Sequence, residues 1–169
     1  MNKIECDVKV ELPDLRHYMY YHKYMRPTGF IEIIAGLLCL VFGIYNYAKI
    51  DTDYQPFMIF LIFFGFYFLI FLPLNTFFTA FKQFTLNPTY KNTYHYLFDK
   101  KGMTISLEDD SATLEWKDFY RVLDNKRSIV VYISRYNANI IPKRELGEKV
   151  DALKALLRAN LPARKVRGL

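Results

Sequence analysis

Apolar residues are concentrated in two long runs in the first half of the chain. The first run covers residues 30–48 and the second covers residues 57–81, with eight residues between them. A bilayer core of about 30 Å needs about 20 helical residues, so both runs are long enough to span it. So short a connection makes the two helices antiparallel, and we therefore predict a transmembrane helical hairpin over residues 30–81.

The positions outside these runs follow patterns typical of a small α+β domain. Residues 2–12 alternate between apolar and charged side chains, which predicts a half-buried strand. Six further short segments of strand character lie between residues 94 and 141, separated by polar turns. Apolar residues then recur at helical spacing and predict an amphipathic C-terminal helix, namely Leu146, Val150, Leu153 and Leu157. We expect the tail over residues 163–169 to be frayed.

These patterns divide the chain into three regions. Residues 1–29 hold the N-terminal strand and a juxtamembrane helix, residues 30–81 the hairpin, and residues 82–169 a small antiparallel sheet or barrel. A lone strand is unstable, so we expect the N-terminal strand to join the C-terminal sheet. Seven strands capped by a helix form the arrangement of a pleckstrin-homology-like (PH-like) barrel. The predicted fold class is a membrane α-helical hairpin plus an α+β, PH-like barrel or sheet.

Small residues and one proline predict how the two long helices are built. We expect close contact between the helices through three glycines, Gly36, Gly43 and Gly65. Pro73 predicts a kink in the second helix, where the side chains of Asn75 and Thr76 are able to bond the freed backbone groups.

Charge predicts the orientation of the hairpin. The whole chain has a net charge of +6. The part from Lys82 onward contains 17 Lys and Arg residues and 10 Asp and Glu residues. Basic residues flank both runs on their outer sides, whereas the short loop has only Lys49 beside two aspartates, so the positive-inside rule places both termini in the cytoplasm. Tyrosines and basic residues next to the runs are the predicted membrane-interface anchors: Tyr21, Lys23, Tyr24, Arg26 and Lys82.

The inventory of chemically active residues is thin. Cys6 and Cys39 belong to no CxxC pair, the histidines lack metal-ligand spacing, and the sequence has neither a GxSxG segment nor a glycine-rich phosphate loop. We therefore predict no catalytic, cofactor or metal site, and no enzyme. The basic balance comes without a nucleic-acid-binding motif, so nucleic acid is not an expected partner.

Two features of the C-terminal region are candidates for recognition. Lys143 and Arg144 follow Pro142 at the start of the last helix, where cations are mildly unfavourable. This placement predicts contact with anionic headgroups or a partner, and a solvated turn is the alternative. Trp116 at a strand end is expected to be a core aromatic, with a ligand-lining role as the alternative.

Four segments of the C-terminal half form an ordered set: TYHYLFDKKGMTI, LEWKDF with Trp116, VVYIS and NIIPKREL. Together with the N-terminal strand, the Tyr- and His-rich helix after it and the hairpin, they resemble the YcxB-like family over nearly the whole chain. The resemblance implies a bacterial inner-membrane protein with a YcxB-like C-terminal domain. It implies no reaction, cofactor or catalytic residue.

Two functions from different classes fit these observations. The first is a membrane-anchored cytoplasmic PH-like interaction or binding module without catalytic activity, whose partners are membrane lipids or an unidentified protein. The second is a small transport or channel component in which a homo-oligomer of the hairpin lines a path. Polar groups are scarce in the middle of both runs, which favours the first function.

Overall fold

The computed structural model describes residues 3–25, 27–135 and 137–168. The chain forms two compact units. One unit, called the α+β unit below, combines the chain up to Leu15 with the chain from Phe84 onward. The other, the helical unit, is Arg16–Gln83. The N-terminal strand therefore belongs to the same unit as the C-terminal strands, from which about 70 residues of helical chain separate it in sequence.

Four helices account for the middle of the chain. They are α1 (Leu12–Tyr24), α2 (Pro27–Tyr47), α3 (Gln55–Phe66) and α4 (Leu72–Leu86). One turn of the wider π-helix, Tyr67–Phe71, joins α3 to α4 without a break. Both α2 and the continuous helix Thr52–Leu86 are long and apolar enough to cross a membrane, with mean hydropathies of 2.0 and 2.6.

The π turn lies where the sequence predicts a kink. Proline has no backbone N–H, and its ring collides with the carbonyl four residues earlier, so Pro73 disturbs the turn that precedes it. The Leu72 N–H bonds to the Tyr67 carbonyl, five residues back, and this wider spacing absorbs the disturbance. The Thr76 hydroxyl donates to the Leu72 carbonyl at 2.9 Å, which is not the Leu69 carbonyl that Pro73 leaves without its N–H partner.

The three glycines that the sequence singles out lie where α2 and α3 touch. A Cβ atom on Gly65 would be 2.7 Å from the Leu40 Cβ and 2.8 Å from the Gly36 carbonyl oxygen. A Cβ atom on Gly43 would be 2.8 Å from the Ile62 Cγ1. The two backbones approach so closely that a side chain does not fit between them, which confirms the predicted glycine contact.

The strands form two four-stranded sheets. The first has the order β1-β2-β3-β4, where β1 is Ile4–Val8, β2 is Tyr94–Phe98, β3 is Gly102–Leu107 and β4 is Asp110–Glu115. The second has the order β7-β6-β5-β8, where β5 is Arg121–Asp124, β6 is Ser128–Tyr132, β7 is Ala138–Pro142 and β8 is Val166–Arg167. Neighbouring strands are antiparallel, except that β8 runs parallel to β5.

The N-terminal strand pairs with β2, as its alternation predicts. Cys6 lies opposite Tyr96 and Val8 opposite Tyr94. Ile4, Cys6 and Val8 are buried, while the residues between them are exposed. One face of the strand therefore contributes to the core of a unit whose other strands all follow the long helices in sequence.

A helix at the end of the chain covers the core. After the short helix α5 (Lys143–Leu146), α6 (Val150–Asn160) buries Leu153, Leu156 and Leu157. These leucines belong to the same core cluster as Phe98, Met103 and Phe119, each of which has no exposed surface. The predicted amphipathic helix is confirmed from Val150 onward, whereas Leu146 lies in α5, which a 3₁₀ turn over Gly147–Lys149 separates from α6.

Two expectations need correction. Within the described ranges the strands lie in two sheets and close no barrel, so of the predicted barrel or sheet, only the sheet form is present. The tail is not frayed, because Val166–Arg167 pairs with β5 and a short 3₁₀ turn precedes it. A strand of two residues is too short to show an alternating pattern in the sequence, so its pairing with β5 was not predicted.

Candidate functional site

Lys143, one of the two predicted contact residues, is bound to a carboxylate at the end of β5. The Lys143 Nζ lies 2.6 Å from Oδ1 of Asp124, and the Lys154 Nζ lies 2.7 Å from Oδ2 of the same side chain. The Asp124 carboxylate is only 6% exposed. The bond to Asp124 raises the pKa of Lys154. This pairing attaches α5 and α6 to the end of β5.

Arg144, the other predicted contact residue, is bound to the segment that follows β1. Its Nη1 donates to Oδ1 of Asp14 at 2.7 Å, and its Nη2 donates to the Lys9 carbonyl at 3.0 Å. Asp14 is buried, and its bond to the guanidinium raises the pKa of Arg144. Both cations thus have structural partners, and a contact with headgroups or a second protein stays a prediction.

The predicted interface anchors lie in the helical unit and have diverse surroundings. The Lys23 Nζ donates to Oγ1 of Thr76 at 3.2 Å, and the Tyr24 ring stacks on Tyr20 at 5.8 Å between centroids. Tyr21 is half-buried and Lys82 is exposed, while Arg26 lies outside the described residues. Tyr20 is not among the predicted anchors, but its hydroxyl donates to the Pro73 carbonyl at 2.8 Å.

Trp116 lies at the end of the first sheet, where β4 leaves it. Its Nε1–H donates to the Lys100 carbonyl at 3.2 Å, and its ring is 5.0 Å from the Phe119 ring. The side chain is half-buried and packs against the core. The expected core aromatic with a satisfied N–H is confirmed.

An open cavity of about 510 Å³ lies beside β4 within the α+β unit. Its floor is formed by side chains of the first sheet, Tyr94, Tyr96, Ile105, Leu107 and Ala112. This volume falls within the range of small-molecule and peptide-anchor sites, about 300–1,000 Å³. We call it the β4 cavity.

The β4 cavity exists because the apolar face of the first sheet extends beyond the core. Tyr96 is opposite Ile105 in the sheet register, and Ile105 is opposite Ala112, so the three side chains share one face. Burial falls along this row, since Tyr96 is buried, Ile105 half-buried and Ala112 exposed. The alternation of β2 and β3 was the sequence signal for this face, but it could not show where the covering layer ends.

One polar group of the β4 cavity comes from the second sheet. The Tyr96 hydroxyl donates to Oδ1 of Asn139 at 3.5 Å. The Asn139 Nδ2 is buried and has no hydrogen-bond partner among the described residues. An unbonded buried amide costs about 1–3 kcal/mol, so this nitrogen is an unsatisfied donor beside the cavity. Nothing in the sequence marked Asn139.

Asp110 and Ser111 also line the β4 cavity. In the described ranges no three His, Cys, Asp or Glu side chains are grouped so that they could hold a metal ion. The His95 Nδ1 lies 2.8 Å from Oδ1 of Asp7, but both side chains are largely exposed on the outer face of the first sheet.

The comparisons with known proteins bear on the segment that contains β3 to β7. Residues 98–157 match the YcxB-like protein family. The match confirms the resemblance for this segment, from the end of β2 into α6, which is narrower than the resemblance drawn from the sequence. The YcxB-like segment contains Asn139, Asp124 and Lys143. No curated protein matches the chain, and no solved structure matches it.

Proposed function

We propose that the protein is a membrane-anchored interaction module of PH-like architecture whose α+β unit binds an extended segment of a partner protein along β4. The helical unit supplies the anchor, and the YcxB-like segment supplies most of the binding surface. One observation carries the binding part: an open apolar cavity adjoins a strand with a free edge.

The anchoring part of the proposal is supported by how the long helices expose their side chains. Phe63 is 70% exposed, and Leu38 and Phe78 are similarly exposed. Water would oppose such exposure at about 25 cal/mol for each Å² of apolar surface, whereas lipid would favour it. We propose the cell inner membrane as the location, with both termini in the cytoplasm.

The PH-like part is supported by the order of elements. Four strands of one sheet are followed by three strands of the second sheet, β5 to β7, and then by a helix that buries Leu153 and Leu157 in the core, while β8 follows that helix. The unusual element is β1, which precedes the helical unit in sequence and still completes the first sheet.

The free edge of β4 supports an extended partner. β4 ends the first sheet, and most of its residues are exposed. An incoming strand would bond to its backbone, and alternate side chains of that strand would enter the β4 cavity. The turn before β4 carries Glu108 and Asp109, and β4 begins with Asp110, so the charge complement is a segment with basic residues.

A photo-crosslinking experiment in native membranes tests the binding part. A benzophenone amino acid is placed at Ala112, on the cavity face of β4, or at Thr113, on the opposite face, where it forms the matched control. We expect a discrete adduct from position 112 whose mapped peptide is a basic, extended segment of another protein, and a much weaker one from position 113. Equal adducts from both positions, or none from 112, would contradict the proposal.

Reporter fusions test the anchoring part. A reporter active only outside the cytoplasm should be active when fused after Asp53 and inactive at the C-terminus. The protein should also stay in the membrane fraction during alkaline washing. Activity of the C-terminal fusion would refute the orientation, and release by washing would refute the anchor.

A further inference from the structure

A second cavity, also of about 510 Å³, lies at the second sheet and is basic. Its charged lining residues are Lys117, Asp118, Arg121, Arg164 and Lys165. Four cations thus line the cavity together with one carboxylate, and Lys117 is also paired with Glu115, whose Oε2 lies 2.7 Å from its Nζ. Positive charge therefore remains in excess at this cavity. Clefts lined by one sign of charge concentrate the electrostatic potential and attract ions of the opposite sign.

The fold brings these cations together from segments that are far apart in sequence. Lys117 lies between β4 and β5, whereas Arg164 and Lys165 lie in the tail. The tail is fixed by the parallel pairing of Val166 with Val122 and by the Lys165 Nζ, which donates to the Lys117 carbonyl at 2.9 Å. The tail segment is therefore part of the wall of the cavity.

Arg121 at the start of β5 is the most confined of the four cations. Its guanidinium carbon lies 4.6 Å from the centre of the Tyr132 ring, which fixes the plane of the group. Its Nε is buried and has no hydrogen-bond partner among the described residues. A buried N–H of a charged group without an acceptor is costly, and an anion in the cavity would supply that acceptor.

We propose that this basic cavity binds the phosphate group of a phosphate ester. Arginine presents a planar set of donors that matches phosphate geometry, and lysines add charge without fixed geometry. The volume exceeds that of a bare ion, and the exposed side chains of Tyr120 and Ile133 line the same cavity. A small organic group attached to the phosphate would contact them. A lipid headgroup and a soluble phosphate ester share this chemistry.

The basic cavity is a different surface from the β4 cavity, so phosphate binding there goes beyond the proposed function. Failure of the crosslinking at β4 would leave the phosphate proposal intact, and failure of phosphate binding would leave the β4 proposal intact.

The only tryptophan of the chain, Trp116, immediately precedes Lys117 and provides the readout. The full chain is prepared in dodecyl maltoside, a detergent without phosphate. One arm titrates glycerol 3-phosphate, and the other adds phosphatidic acid to the micelles. We expect a saturable change of Trp116 fluorescence in at least one arm. A response to the lipid alone assigns a headgroup site, and a response to the soluble ester assigns a soluble ligand. Absence of a saturable response in both arms overturns the proposal.

Two charge-matched double variants decide whether the cavity is the site. Lys117→Gln with Arg164→Gln removes two exposed cations of the cavity, and Lys126→Gln with Arg127→Gln removes two exposed cations at the β5–β6 turn. We expect at least tenfold weaker binding by the first and unchanged binding by the second. Equal weakening in both would overturn the site, because it would show a general charge effect. Thermal unfolding followed by circular dichroism verifies that both variants are folded.

Arg121→Lys separates geometry from charge. This variant keeps the positive charge of the cavity but loses the planar set of donors. We expect weaker binding of glycerol 3-phosphate or phosphatidic acid than in the parent chain, with a salt dependence close to that of the parent. Unchanged binding would overturn the role of the guanidinium.

Discussion

Phenylalanine is mostly exposed in the helical unit and mostly buried in the α+β unit. Phe63 and Phe78 of the long helix are mostly exposed, whereas Phe98 and Phe119 of the α+β unit have no exposed surface. The buried positions of the helical unit are mostly small or polar residues: Gly29, Gly36, Gly43, Gly65, Thr76 and Ala80. The two units therefore use opposite residue types for their internal contacts.

This difference indicates which interaction holds each unit together. Removal of large apolar side chains from water stabilises the α+β unit. That driving force is absent between helices in lipid, where close backbone approach and dispersion contacts replace it. In the helical unit, Gly36 and Gly65 permit that approach. The same substitution should consequently have different effects in the two units.

The largest difference is expected for phenylalanine itself. Phe98→Ala deletes a fully buried ring and should lower the free energy of unfolding of the α+β unit by about 3–5 kcal/mol. Phe63→Ala changes a 70% exposed side chain, so the free energy of unfolding should stay within about 0.5 kcal/mol of that of the parent chain. Urea unfolding of the full chain in detergent, followed by Trp116 fluorescence, measures both. Equal losses would contradict the comparison.

The next-largest effect is expected for a buried ion pair of the α+β unit. The ammonium of Lys143 is about three-quarters buried, and Asp124→Ala removes its carboxylate partner. We expect the free energy of unfolding to fall by about 3 kcal/mol. Glu115→Ala breaks an exposed pair with Lys117 and serves as the control, with a far smaller effect. If the two variants have the same stability, Asp124 does not hold the last helices to the sheet.

Local patterns were sufficient to predict most elements. Both long helices, the N-terminal strand and the spacing of Leu153 and Leu157 depend on periodicity within a few residues of each position. The contact of Gly43 and Gly65 also followed from residue type, because only glycine admits so close an approach. The prediction that the N-terminal strand would join the C-terminal strands needed one further step, the return of the chain by a hairpin.

Features that depend on residues far apart in sequence were not predicted. Arg144 contacts Asp14 across 130 positions, and its charge alone could not distinguish this bond from a lipid contact. The division into two sheets and the pairing of Val166 with Val122 depend on strand order. The donor of Asn139 became apparent only once its neighbours were known.

A crowded helix contact should be the third-largest effect. Gly43→Leu places a side chain where even a Cβ would be 3.0 Å from the Met58 carbonyl oxygen, so the helices must separate. Overpacking of this kind costs about 1–3 kcal/mol. Val41→Leu enlarges an exposed position of the same helix and should be neutral. Circular dichroism at 222 nm during heating in detergent measures both, and equal melting of the two variants would exclude a glycine-dependent contact.

The smallest expected effect concerns the pH dependence of the α+β unit. Cys6 in β1 is 6% exposed, and burial raises the pKa of its thiol from 9.0 to about 11. Folding thus favours the protonated thiol. The resulting stability is complete below about pH 9, the pKa of the unfolded chain, and is lost as the pH rises to about 11.

The slope of unfolding free energy against pH from this one group is at most about 1.4 kcal/mol per pH unit. Tyrosines and lysines titrate in the same range, so the test is the difference between the parent chain and Cys6→Ala. We expect the parent to lose stability more steeply between pH 9 and 11, because the variant has no thiol at that position to lose its proton.

A maleimide at pH 8 gives a second measurement on the native protein. Cys6 should react only when the α+β unit opens, and urea should accelerate its reaction in parallel with the change in Trp116 fluorescence. Parallel pH slopes for parent and variant, together with fast labelling of Cys6 in the folded chain, would show that β1 is not part of the buried core.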